Sequence, residues 1–203
     1  MTRKTIVSIV SILMLAVLAS ACVATQNISG RGTVNLLDGE LADKTFVPGE
    51  ATFSLNFTCY AQNNNMIEGF LNWKDPANGV TLKATLPETP VKKLAPTDDG
   101  VPMFTTCKQM KAFASQLGFS VNTAGTWNEN GNADGDSGTQ TGQVLIAVTQ
   151  PGAPIYGSAN PCGETGTAVL VAASTQQVPG YEVVGCLDRG KVTFGATQNQ
   201  NQQ

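Results

Sequence analysis

The stretch Ala51–Tyr60, ATFSLNFTCY, decides how this chain folds. Phe53, Leu55 and Phe57 occupy alternate positions, with Ser54, Asn56 and Thr58 between them. Successive side chains of a strand point to opposite faces, so this period of two puts apolar groups on one side and polar groups on the other. A helix would scatter the same residues around its axis. The segment reads as a half-buried strand.

The same alternation recurs on its C-terminal side. GFLNWKD (69–75) sets Leu71 and Trp73 against Phe70, Asn72 and Lys74, and GVTLKATL (79–86) sets Val80, Leu82 and Ala84 against Thr81, Lys83 and Thr85. QVLIAVT (143–149) and TAVLVAAS (167–174) are nearly continuous apolar runs and suit central strands. YEVVGCLDRGKVTFG (181–195) reads as a closing hairpin with Asp188, Arg189 and Gly190 at its turn. Gly, Pro, Asn and Asp punctuate the strands. Many short strands at such spacing predict an all-β domain, an antiparallel sandwich or barrel.

One segment departs from the period of two. In KQMKAFASQLG, Met110, Phe113, Ala114 and Leu117 fall at i, i+3, i+4 and i+7, which is helical spacing. Thr106 and Gln109 form a capping-box pair, and Gly118 is placed to end the element. One short helix is predicted over about 107–117, packed on the sheet by its Met/Phe/Leu stripe. The proline-bearing LPETPVKKLAPTDDGVP (86–102) is predicted as a surface excursion.

The N-terminus carries an export pattern. Arg3 and Lys4 precede the apolar run Ile6 to Leu18, and small residues follow at Ala19, Ser20 and Ala21. The run is shorter than the ~20 apolar residues a spanning helix needs. Ala19-Ser20-Ala21 suits ordinary signal peptidase and secretion. Leu18 to Cys22, LASAC, resembles a lipobox, with Ala19 where leucine is most common. The favoured division is a signal peptide over 1–21 and a fatty-acylated (palmitate-type) Cys22. A polar tether follows over 22–30, then a single β-domain over 31–195 and a disordered polar tail over 196–203. The location so predicted is a bacterial cell envelope, with the membrane as a partner through the lipid on Cys22. Several acyl CH₂ groups at ~0.8 kcal/mol each make a firm anchor.

Cysteine arithmetic agrees with export. Of five cysteines, lipidation of Cys22 leaves four: Cys59, Cys107, Cys162 and Cys186. Four allow three connectivities. The preferred one is Cys59–Cys107 with Cys162–Cys186, because each pair lies within one half of the chain; loops of that size give roughly 3–4 kcal/mol each in the chain-entropy model.

Composition limits the function. The chain has 203 residues, 12 basic and 15 acidic, and no histidine. Removing the leader takes away two basic residues and no acid, leaving a formal charge of −5. Mild acidity without a basic patch argues against nucleic acid as a partner. GDSG (135–138) matches the nucleophile sequence of trypsin-like proteases, but that mechanism needs a histidine base, which this chain lacks. Enzymes built on carboxylates alone stay open, and Glu68, Asp75, Glu129 and Glu182 are candidate acids, although no spacing selects a pair. No catalytic residue is therefore assigned.

WNENGNADGDSG (127–138) also contains half of a calcium loop. Asn130, Asn132, Asp134 and Gly135 fit its positions one, three, five and six, and Asp136 adds charge, but Thr141 stands where a bidentate glutamate belongs. The same residues serve a long hairpin loop. That is the prevailing interpretation, with Asn130, Asn132, Asp134 and Asp136 kept as candidate Ca²⁺ ligands. No other cofactor is predicted. The aromatics Trp73, Trp127, Tyr60, Tyr156 and Tyr181 show no spacing that gathers them on one exposed face, and core burial is expected for both tryptophans.

Several of these stretches together form a resemblance. GRGTVNLL, then Gly69, Leu71, Trp73 and Asp75, then Gly180, Tyr181, Gly185, Leu187 and Gly190, are similar to the pattern of a bacterial exported all-β domain of the post-COAP type. The resemblance implies an all-β fold and no catalytic residue, since that family's function is unknown. The helical segment and the cysteines depart from the pattern. The expected function is a lipid-anchored, non-enzymatic binding or structural module for a protein or glycan partner. The rival expectations are a carboxylate-only hydrolase of envelope polysaccharide and a calcium-dependent adhesion module.

Overall fold

The alternation at 51–60 becomes strand β2, and its apolar side faces the inside of a closed barrel. In the computed structural model, residues 24–42, 44–94, 105–116, 118–129, 139–156, 158–174 and 179–198 are described. The strands are β1 (Ala24–Leu41), β2 (Glu50–Tyr60), β3 (Met66–Asp75), β4 (Val80–Pro90), β5 (Gly118–Glu129), β6 (Thr139–Thr149), β7 (Ala168–Ser174) and β8 (Pro179–Gln198). Each pairs antiparallel with the next, and β8 returns to pair with β1, so of the two all-β architectures expected the barrel is the one formed. Closure leaves no sheet edge for another chain to template on.

Inward positions follow the period of two. Phe53, Leu55, Phe57 and Cys59 of β2, Leu71 and Trp73 of β3, and Val80, Leu82 and Ala84 of β4 are all buried in one core. Val144, Ile146, Val169, Val171 and Val183 complete it from the other wall. An eight-stranded barrel is just wide enough for side chains to fill. On the outside of β2 to β4, Thr52, Asn72, Lys74, Thr81, Lys83 and Thr85 are exposed. Along these three strands, apolar inside and largely polar outside is the reverse of the pattern of a barrel that crosses a bilayer. No helix among the described residues is long and apolar enough to cross a membrane.

One end is stopped by α1 (Cys107–Ala114), which packs against β1, β5 and β8 and buries Cys107, Met110 and Ala114 in the core. Thr106 caps it by accepting from the Gln109 amide at 3.2 Å, as the sequence predicts. Gln109 reaches back one residue further than a capping box requires, accepting from the Thr105 amide at 2.9 Å. The helix ends at Ala114, short of the expected 117. Within the expected excursion, Val91 and Leu94, in and after a 3₁₀ turn at Val91–Lys93, are buried beside α1. Both disulfides form as preferred: Cys59–Cys107 ties α1 to β2, and Cys162–Cys186 ties the β6–β7 connection to β8. Two disulfides fit an oxidising compartment.

Three expectations are corrected. Residues 24–30 are not a tether: they open β1, where Ile28 packs inside the barrel and pairs with Phe57 and Phe194. The expected tail overlaps β8, which runs to Gln198. Asp188-Arg189-Gly190 is no hairpin turn, because β8 is one continuous strand along β1. The register shifts there, with Thr33 opposite Arg189 and Val34 opposite Leu187, so Asp188 is a bulge. Gly190, at φ +97°, supplies backbone geometry that a side chain would resist.

Candidate functional site

The filled interior moves attention to the outside, where one wall differs from the rest. Leu145 and Ala147 of β6, Leu170 and Ala172 of β7, and Val184 of β8 all point outward yet are at least partly buried. The 150–167 connection folds back over part of them, burying Ile155 against Ala147 and Ala168. Asn160 organises that connection. Its Nδ2 donates to the Ala153 carbonyl at 2.9 Å and the Gly166 carbonyl at 3.0 Å, and its Oδ1 accepts from the Cys162 amide at 2.8 Å. Two covered faces explain why 143–149 and 167–174 read as continuous apolar runs.

The connection does not cover the whole face. Between it and the end of β1 lies an open groove of about 570 Å³ with Leu145, Leu170 and Val184 on its floor. One side is Ile155, Tyr156 and Pro161; the other carries Asp38, Glu40 and Glu182. Ile155 and Ser158 exchange both backbone hydrogen bonds, at 3.1 and 2.9 Å, which holds the rim. Tyr156 there has φ +46° and is 60% exposed. A non-glycine residue in left-handed backbone is uncommon, and such strain concentrates at functional positions.

A bulge aims the carboxylates. Leu36 lies opposite Gly185 and Asp38 opposite Val184, leaving Leu37 unpaired. Because Leu36 faces inward, uninterrupted alternation would send Asp38 and Glu40 inward too. The extra residue reverses the alternation, so both turn out beside the groove. Glu40 then sits directly opposite Glu182 in the β1–β8 register. Like charges so placed are destabilising. Gly39 between them allows close strand approach, since a Cβ there would lie 2.7 Å from the Glu182 carbonyl oxygen. Among the described residues, the ion pairs are Arg189–Glu50 at 2.6 Å and Arg189–Asp188 at 3.1 Å. Neither reaches the groove. The Arg189 guanidinium is held above its ordinary range chiefly by the Glu50 hydrogen bond.

The candidate acids are dispersed. Glu68 is exposed and accepts from the Tyr60 hydroxyl at 2.8 Å; that hydrogen bond, then slight burial, raises the phenol's pKa. Asp75 is buried at the barrel end opposite α1. It accepts from the Asn78 amide at 3.1 Å, Asn78 Nδ2 at 2.7 Å and the Tyr181 hydroxyl at 2.9 Å. Trp73 Nε1 donates to that same hydroxyl at 2.8 Å, and Trp73 is core, as expected. These are structural satisfactions of buried polar groups. They also join Trp73 and Asp75 of β3 to Tyr181 of β8. Glu129 ends β5. Glu182 lines the groove, with Asp38 and Glu40, which sequence patterning did not single out. The doubled leucine at 36–37 is the one visible sign, because it interrupts alternation. Cys22, Asn130, Asn132, Asp134 and Asp136 lie outside the described residues; β5 and β6 do pair on either side of 130–138, with Asn128 opposite Thr139. No group of three or more metal-ligating side chains occurs among the described residues.

Comparison with known proteins brings no relative: no family model, no curated protein and no solved structure matches the chain.

Proposed function

We propose that this protein is a lipid-anchored, non-enzymatic binding module of the bacterial cell envelope that holds its partner on the outer wall of β6 to β8. The post-COAP-like pattern and the lipobox-like LASAC support the exported, anchored part of this reading. One observation carries the binding part: an apolar, half-covered groove on the outside of a barrel whose described interior is filled. Apolar floors with a few convergent polar groups are the usual form of binding sites.

A carboxylate-only hydrolase is the second reading, favoured by the Glu40–Glu182 pair. A glycosidase needs one acid held protonated by a desolvated setting, and both of these residues are exposed. Calcium-dependent adhesion rests on Asn130, Asn132, Asp134 and Asp136; a thermal midpoint that stays put in millimolar calcium removes it.

Fractionation tests the anchor. The chain should partition with membranes, gain acyl mass at Cys22, and be released by Cys22→Ser; membrane retention of that variant contradicts lipidation. For the binding part, the wild-type chain should retain an envelope partner that Leu170→Lys does not, while envelope polysaccharide gains no new reducing ends. Retention by both chains, or new reducing ends lost in Glu182→Gln, would contradict it.

A further inference from the structure

We infer that the outer groove takes a basic peptide segment of a partner protein, with lysine or arginine beside aliphatic side chains. This rests on the binding-module reading and adds the ligand's chemistry.

Charge complementarity is the first support. Asp38, Glu40 and Glu182 line the groove, and neither Lys nor Arg is among its described lining residues. The bulge at Leu37 turns two of these carboxylates outward, and register sets Glu40 against Glu182; among the described residues no ion pair involves either, and like charges so placed cost stability. A ligand cation placed between them relieves that repulsion on binding. Tyr156 is the second support. It lines the groove and is 60% exposed, and an aromatic face there attracts a cation. The third is the floor of Leu145, Leu170 and Val184, which a purely charged ligand would leave wet. An amphipathic cation satisfies all three surfaces.

The groove's form favours a peptide over a small organic cation. Small ligands are usually enclosed over most of their surface, and quaternary ammonium sites surround the cation with several aromatics. This groove is open and offers one tyrosine. An extended segment can lay alternate side chains on the apolar floor and against the acidic side.

The test uses the full mature chain and fluorescence anisotropy with a labelled hexapeptide alternating lysine and leucine. A glutamate–leucine hexapeptide and spermidine are the comparison probes. The lysine–leucine peptide should bind, and binding should fall as salt rises from about 0.05 to 0.5 M. Glu40→Lys with Glu182→Lys should weaken it by about tenfold or more. Glu68→Lys with Glu88→Lys makes the same net change away from the groove and should leave binding in place. Tyr156→Asn, which tolerates left-handed backbone, should weaken binding about threefold.

Failure of the lysine–leucine peptide to bind, or equal affinity for both charge-reversed variants, overturns the inference. So does full displacement by spermidine at matched charge, which would assign a small polycation instead. Preference for the glutamate–leucine peptide also overturns it. In each of these cases, a partner retained by the wild-type chain but not by Leu170→Lys preserves the binding-module reading; loss of that difference removes both.

Discussion

The β2–β4 wall and the β6–β8 wall share a barrel and an inner core, yet their outer faces are opposites. Outside β2 to β4, Asn72, Lys74, Thr81 and Lys83 are exposed, with Phe70 as an exposed aromatic among them. Outside β6 to β8, Leu145, Leu170 and Val184 need cover, and the 150–167 connection supplies only part of it. Folding stability lives in what the two walls enclose. The proposed recognition falls where one wall remains incompletely covered.

The two disulfides express the same contrast. Cys59 and Cys107 are both fully buried and fasten α1 to the core, whereas Cys162 and Cys186 lie on the outer wall and are partly accessible. Replacing Cys59 and Cys107 by alanine should cost about 2–5 kcal/mol, read as a lower denaturant midpoint. A loss below about 1 kcal/mol would show that α1 docks without its staple. Tyr181→Phe should cost about 1–3 kcal/mol, because it strips a partner from both Trp73 Nε1 and Asp75 in a buried setting. Unchanged urea unfolding would contradict that accounting.

Smaller global effects are expected on the outer wall. Graded reduction followed by thiol alkylation and mass analysis should open Cys162–Cys186 before Cys59–Cys107, since reductant must reach the sulfur. The reverse order would break the comparison. Glu182→Gln should stabilise the chain by a few tenths of a kcal/mol by ending the repulsion from Glu40. Destabilisation would mean that Glu182 has a favourable partner in the fold.

Much of the inner core was legible in sequence because alternation reports burial directly. Phe53, Leu55, Phe57, Leu71, Trp73, Leu82 and Ala84 all face inward as their spacing requires. The helix and its Thr106 cap were legible for the same kind of reason, a local period and a local hydrogen bond. Closure was not, since the β1–β8 pairing joins the two ends of the chain and leaves no short-range pattern. The 25–30 stretch looks polar because buried Thr25 and Gln26 are themselves polar, while Ile28 is its buried aliphatic residue. The DRG element carries turn chemistry that a bulge uses equally well. The groove was the least legible part. It depends on one unpaired residue, Leu37, reversing two acids, and on Tyr156 being set opposite them by a distant connection.

The central claim, that the partner sits on the outside of β6 to β8, is tested most directly by site-specific photo-crosslinking in intact envelopes. A crosslinking side chain at position 156 should capture a discrete partner, and one at position 81 on the polar wall should not. Capture of the same partner from position 81 and not from 156 would contradict the account.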